Sequence, residues 1–386
     1  MSRDPGTPRL LRRLNDRSAL ELLLSDGPLT RAELGDRTGL SRVTAAQLLT
    51  RLVERGLVEV TGERGGSRGP NAALYGVVPS TAYVAGLEVL PDRTTVGVAD
   101  ITGEVVVEVV TDPLDGDDPI GTVQSAVERA CETAKIEMSR LHAFVIGTKG
   151  MVDPRTGDMR FSYDLPAWHA GVLASLRDRL GESVTIENDV NLVALAEHRY
   201  GAGVGHDDFV VLWTGVGQGL GIMLGGRLHR GVLGGAGEIG WLPVPGEPLP
   251  ADVAHPTSGS YQRLVGPEAM AELAGRHGVP GESASEQVGA AVAGGFRAYL
   301  DELAHRLAIG VAAVSVVIDP GLVVLSGDVG TAGGAELASR VERAAARMCP
   351  TGPSVVPTGV TGNPVLRGAL VAALDRAREE VFSDTV

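Results

Sequence analysis

Ile186-Glu187-Asn188-Asp189-Val190-Asn191, Trp213-Thr214-Gly215-Val216-Gly217-Gln218-Gly219 and Gly234-Gly235-Ala236-Gly237-Glu238-Ile239-Gly240-Trp241 all fall within the stretch Thr185–Trp241. The first segment reads as a strand end that delivers Asn188 and Asp189 to the start of a helix, Val190–Tyr200. Asn and Asp are favoured there because their side-chain oxygens accept backbone N–H groups that the first turn leaves unpaired. The second segment reads as strand, turn, strand. Its three glycines let backbone N–H donors approach an anion; the plainer alternative is a tight glycine hairpin that serves folding alone. The third is a loop too rich in glycine to pack a core, and it carries one carboxylate, Glu238.

Outward from that stretch, a length of 386 suggests two or three domains, and 44% hydrophobic residues suffice for sizeable cores. The N-terminus is polar and arginine-rich, without the apolar segment of a signal peptide. The longest apolar run, Leu307–Ile318, is too short to span a bilayer. A cytoplasmic protein with no membrane contact is expected. Two cysteines, Cys131 and Cys349, make neither a disulfide framework nor a zinc cluster.

Charge is unevenly placed. Residues 1–79 carry 12 arginines against 9 acidic residues, a balance of +3, while the remainder carries 22 basic and 39 acidic residues, −17. A basic head on an acidic body assigns nucleic-acid contact to the head, because the body repels phosphate backbones at long range.

Within the head, Arg17–Leu24 reads as a helix ended by Gly27-Pro28. Thr30 with Glu33 is a capping box that starts a second helix, which Gly39 breaks. Ser41 caps a third, Arg42–Arg55, whose buried face is Leu48, Leu49 and Leu52. The spacing matches a helix-turn-helix. Leu57–Val60 is a short strand, Gly62–Pro70 a loop and Ala73–Tyr75 a return strand, which completes a winged helix-turn-helix. The third helix fits the major groove of double-stranded DNA, where Arg42 and Gln47 make bidentate contacts to base edges and Ser41 and Thr44 reach phosphate or bases. Arg51 lies on the same outward face. Arg64 and Arg68 sit on a wing narrow enough for the minor groove. The competing reading is a helical protein-interaction module with a solvated arginine face. Pro79 marks the domain boundary.

The body, residues 80–386, reads as two similar α/β halves, 80–200 and 201–386. Each begins with three strands (Tyr83–Val89, Thr94–Asp100, Val105–Val110; Phe209–Thr214, Leu220–Leu224, Arg227–His229) and continues with alternating helices and strands. A repeated βββαβαβα unit resembles the two-lobed actin/hexokinase architecture, a ribonuclease H-like fold in which ligands bind between the lobes.

The order and spacing of the three opening segments, with the winged helix-turn-helix in front, resemble the ROK family of repressors, unclassified reading frames and sugar kinases. The resemblance implies that Gly150, Asn188, Asp189 and Glu238 contact a sugar, with Asp189 at the position of the kinases' catalytic base. Asp164 stands where that family usually has Asn, Trp241 where it has His, and Tyr261 where it has a second sugar-binding Glu. Two polar contacts have therefore become aromatic, and aromatic faces stack on sugar rings. Family kinases open the body with Asp-x-Gly-Gly-Thr, whose glycines admit ATP phosphates. Here Glu88 stands for the Asp and Leu90-Pro91-Asp92 for Gly-Gly-Thr. Proline removes a donor, leucine adds bulk, and Asp92 adds repulsion. The family's structural zinc needs a His after Glu-Ile-Gly and a cysteine cluster; Trp241 takes the first place, and Leu242–Ser260 has no cysteine. No metal and no cofactor are expected. The expected protein is a DNA-binding transcriptional regulator of carbohydrate-related genes, acting as a repressor. It reads a palindromic operator as a homodimer or homotetramer, takes a sugar-like effector in the interlobe cleft and lacks kinase activity. The alternative is an ATP-dependent sugar kinase with a DNA-binding arm.

Overall fold

The computed structural model describes residues 8–65, 71–112, 118–162, 165, 167–253 and 258–383. In the head, α1 (Pro8–Asp26), β1 (Leu29–Thr30), α2 (Arg31–Thr38), α3 (Arg42–Glu54), β2 (Val58–Arg64) and β3 (Ala72–Val77) follow in order. The capping box is present: Glu33 N donates to Thr30 Oγ1, and Thr30 N donates to the Glu33 carboxylate. Gly39 ends α2 in the left-handed conformation, and Ser41 Oγ accepts the Thr44 amide at 3.2 Å. The wing departs from the expectation of a loop from Gly62 onward. β2 continues to Arg64 because Gly62, Glu63 and Arg64 register with Leu74, Ala73 and Ala72 of β3. Backbone pairing outweighs the local turn preference of those residues.

The body contains β4 (Tyr83–Val89), β5 (Thr94–Asp100), β6 (Val105–Thr111), α4 (Pro119–Ala134), β7 (Leu141–Thr148), the short pair β8 (Met151–Val152) and β9 (Met159–Phe161), α5 (Val172–Leu180), β10 (Val184–Asn188) and α6 (Asp189–Tyr200). The second half holds β11 (Phe209–Thr214), β12 (Gln218–Leu224), β13 (Arg227–Leu228), α7 (Ser260–Val265), α8 (Pro267–His277), α9 (Ala284–Gly294), α10 (Arg297–Ile318), β14 (Leu322–Ser326), α11 (Gly327–Ala345), β15 (Ser354–Pro357) and α12 (Pro364–Ser383). The first sheet has the order β10-β7-β4-β5-β6, the second β13-β12-β11-β14-β15. In each, three antiparallel strands are followed outward by two parallel ones. The two sheets repeat one topology.

One element departs from the expected division at residue 200. α12 comes last in the chain, yet it lies on the first sheet. Gly86 of β4 makes the approach possible: a Cβ there would stand 2.9 Å from the Leu370 backbone nitrogen. α12 also reaches the head. Leu20, Leu23, Leu48 and Leu52 of the head, Val84 and Ala99 of the first sheet, and Ala369, Ala377 and Phe382 of α12 form one continuous core. Arg378 donates to the carbonyls of Ile101 and Thr102, and Arg55 donates to the carbonyl of Val381. The head is therefore packed on the body rather than tethered to it.

Candidate ligand cleft and nucleic-acid interface

The carboxyl ends of β4, β7 and β10 come level, with Val89 and Asn188 both in register with Thr148. Ligands of open parallel sheets gather outside such ends. The side chains delivered there are Glu88, Lys149, Asn188 and Asp189. Asn188 caps α6 by accepting the Asn191 amide at 3.0 Å, and its Nδ2 donates to the Gly150 carbonyl at 3.0 Å. Gly150 has φ 113°, and a Cβ there would lie 2.2 Å from the Phe161 carbonyl oxygen, so a side chain is excluded. These bonds leave Asn188 one amide hydrogen and one lone pair for a ligand.

Asp189 Oδ1 accepts the Val190 amide at 2.8 Å. Burial pushes this carboxyl up to about 7; repulsion from Glu88 and Glu238 adds to the rise, while the Val190 amide and the Lys149 ammonium oppose it. Burial also raises Glu88 and Glu238. The folded chain holds the Asp189 proton to higher pH than the unfolded chain does. This contribution is full below about pH 4 and is lost as pH climbs to about 7. Asp189→Asn should therefore melt higher than the native chain at pH 8, with the gap closing toward pH 4. A gap that is constant across that range in thermal melts would contradict the burial of this carboxyl.

Glu238 and Trp241 border a groove of about 780 Å³ together with Met151, Phe161, Gly235 and Gly237. Asp189 senses the Glu238 charge across the cleft. The structure brings Gly150, Asn188 and Asp189 together at the end of β10, with Glu238 near enough to add to the repulsion on Asp189, and sets Trp241 beside Glu238 in the groove. It does not bring Tyr261. That side chain is fully buried in the core of the second lobe, its hydroxyl donates to the Leu307 carbonyl at 3.0 Å, and burial raises the phenol above its usual range. It packs against Gly310, where a Cβ would be 2.5 Å from its ring. Tyr261 is a core residue and offers the cleft no stacking face. Asp164 lies outside the described residues. Lys149 went unnoticed in the sequence; its only signal was a lysine between Thr148 and Gly150 at a strand end.

The glycine turn after β11 faces Asp328, in the first turn of α11. A Cβ on Gly215 would stand 3.6 Å from the Asp328 carboxylate. Asp328 also adds to the repulsion felt by Glu88, whose carboxylate accepts a hydrogen bond from Asn363 Nδ2. Arg93 is paired with Asp92 at 2.8 Å. Among the described residues, no group of three or more His, Cys, Asp or Glu is arranged to hold a metal ion.

On α3, Arg42 and Gln47 face solvent. Between them Val43 is 67% exposed, a residue the sequence reading passed over and one whose methyls suit a thymine methyl. Ser41 and Thr44 hydroxyls bond each other at 2.9 Å. Arg51 is corrected: it turns inward and pairs with Asp16 of α1 at 2.7 Å, and Asp16 has no solvent exposure. Arg64 lies on β2 and pairs with Glu33 of α2, so it belongs to the strand rather than the wing tip. Arg68 lies outside the described residues.

Fold and cleft define a winged-helix head on a two-lobed, sugar-kinase-like body. The chain belongs to the ROK family, whose model matches residues 84–376. A model of the MarR family matches residues 14–69 of the head. The N-acetylglucosamine repressor of Escherichia coli O6:H1 is 25% identical over 251 residues, 63% of this chain and 60% of that protein's length. A solved ROK family transcriptional regulator, described as a homolog of the E. coli MLC protein, superposes with a TM-score of 0.76 over 97% of this chain and 100% of that one, at 19% identity, which shows the fold. The ROK hexokinase from Thermus thermophilus superposes at 0.62 over 76% of this chain and 98% of its own, at 28% identity. No described helix is long and apolar enough to cross a membrane.

Proposed function

We propose that this protein is a sugar-responsive, DNA-binding transcriptional regulator, a repressor of carbohydrate-related genes, without kinase activity. The observation that carries the reading is the solvent-facing row Arg42, Val43 and Gln47 on a head sharing one core with the sugar-kinase-like body. A base-reading face so attached is sensitive to any change in the body's shape. The similarity to a repressor named for N-acetylglucosamine supports both halves of the proposal. Gly150, Asn188, Asp189 and Glu238 supply acceptors and an amide suited to hydroxyl groups, and Trp241 a stacking face. Double-stranded DNA is the macromolecular partner. A winged helix reads one half-site, so a palindromic operator takes a homodimer or homotetramer.

The competing reading is a working sugar kinase: Asp189 lies half-buried at the start of α6, and its raised carboxyl suits a general base. Phosphoryl transfer, however, depends mostly on positioning and charge neutralisation. Asp328 against the glycine turn, and Leu90-Pro91-Asp92 in place of Gly-Gly-Thr, oppose both. The purified chain should show no ATP-dependent phosphorylation across a panel of hexoses, pentoses and amino sugars. Turnover that disappears in Asp189→Asn would establish the kinase instead.

A further inference from the structure

One ion pair bridges the lobes beside the cleft. Arg230 Nε of the second lobe lies 2.6 Å from Glu187 Oε2 of β10. Glu187 is buried, and its other oxygen accepts the Asn188 amide at 3.0 Å and Asn191 Nδ2 at 2.9 Å. Both carboxylate oxygens are thus engaged, one by the turn that presents Asn188 and Asp189, the other by the second lobe. Arg230 stands where the loop to Glu238 begins, and its carbonyl accepts the Ala236 amide at 3.3 Å. Between them run Gly231, Val232, Leu233, Gly234 and Gly235. So glycine-rich a loop has unusual freedom to lose when it orders. Its docking on the first lobe includes the closely packed Gly234 and Gly235, where a Cβ would be 1.9 Å from the Val152 carbonyl oxygen and 2.9 Å from Met151 Cε, and the Arg230–Glu187 pair.

We propose that Arg230 is a positioning residue that, through Glu187, sets the separation of Asp189 and Glu238 and so the affinity of the cleft for a polyol. The effect on affinity rests on the sugar-effector reading; the effect on the loop does not. Arg230 is partly open to solvent, so its pair is weaker than a buried one. Removing Arg230 leaves Oε2 of the buried Glu187 without this partner, a costly state for a carboxylate.

Amide hydrogen exchange on the full-length chain without ligand tests the positioning directly. Arg230→Gln should speed exchange across residues 231–238 by about tenfold, with β11, β14 and the head unchanged. Arg230→Lys keeps the charge and should recover part of that protection, and Glu187→Gln should reproduce the loosening from the other side. The second arm is calorimetric titration with N-acetylglucosamine, glucose and xylose. A sugar that binds the native chain should bind Arg230→Gln about tenfold more weakly. Unchanged exchange in the loop, or uniform loosening of the whole chain in both Arg230→Gln and Glu187→Gln, overturns the proposal. If no sugar binds the native chain while the loop alone loosens, the positioning stands and the effector reading fails.

Discussion

Arg42→Ala combined with Gln47→Ala lowers operator affinity by on the order of 4 kcal/mol, about a thousandfold. A good bidentate contact to a base edge contributes about 1–3 kcal/mol, and a two-fold operator, as proposed, would engage each residue twice. The physical basis is the outward face of α3, where both side chains meet solvent while Leu48, Leu49 and Leu52 hold the helix to the core. Base preference should relax along with affinity, because these contacts read sequence rather than backbone. Arg51→Ala serves as the control. Its guanidinium is committed to Asp16, so the change should lower stability while leaving base preference intact. Fluorescence anisotropy on matched and scrambled duplexes reads both effects. A double variant that stays within threefold of the native affinity removes α3 from the interface.

Phe382→Ala is expected to cost about 3–5 kcal/mol. The side chain is 1% exposed and sits where α12, the first sheet and the head share one core. Because that core is continuous, the native chain should show no separate melting of the head, and the variant should loosen head and first lobe together. Calorimetric scans decide the matter. A distinct head transition in the native chain, or a loss below about 1 kcal/mol in the variant, would mean that the head is an independent bead.

The helix-turn-helix was legible because its signals are local. Thr30 with Glu33, Gly39 and Ser41 each act within one turn of chain, and each does in the structure what its chemistry suggests. The α/β character of the body was legible from local alternation and turn residues, while its doubled form came partly from the family resemblance. The departures all depend on distant partners. Arg64 extends β2 because β3 pairs with it, Arg51 turns inward because Asp16 waits on α1, and α12 returns to the first sheet across the whole second lobe. Tyr261 carries a subtler lesson. Its place in the family pattern pointed to a ligand contact, but a tyrosine where a glutamate is usual has changed solvent preference, and the core has taken it. Asn188, Asp189 and Glu238 were legible through their motifs' resemblance to the ROK family, whereas Lys149 and the Asp328 carboxylate against Gly215 became visible only when the strands and α11 were brought together.

The most direct test is an anisotropy titration of the full-length chain on the duplex it enriches from a random library, with and without N-acetylglucosamine, glucose or xylose, alongside Asp189→Ala. The expected duplex carries two inverted half-sites and is bound with steep salt dependence. One sugar should shift the affinity of the native chain, by no more than its differential affinity for the two closures of the cleft. Asp189→Ala should bind the duplex equally well and ignore that sugar. Failure to enrich any duplex, or an affinity that no sugar moves in the native chain, would contradict a sugar-governed DNA reader.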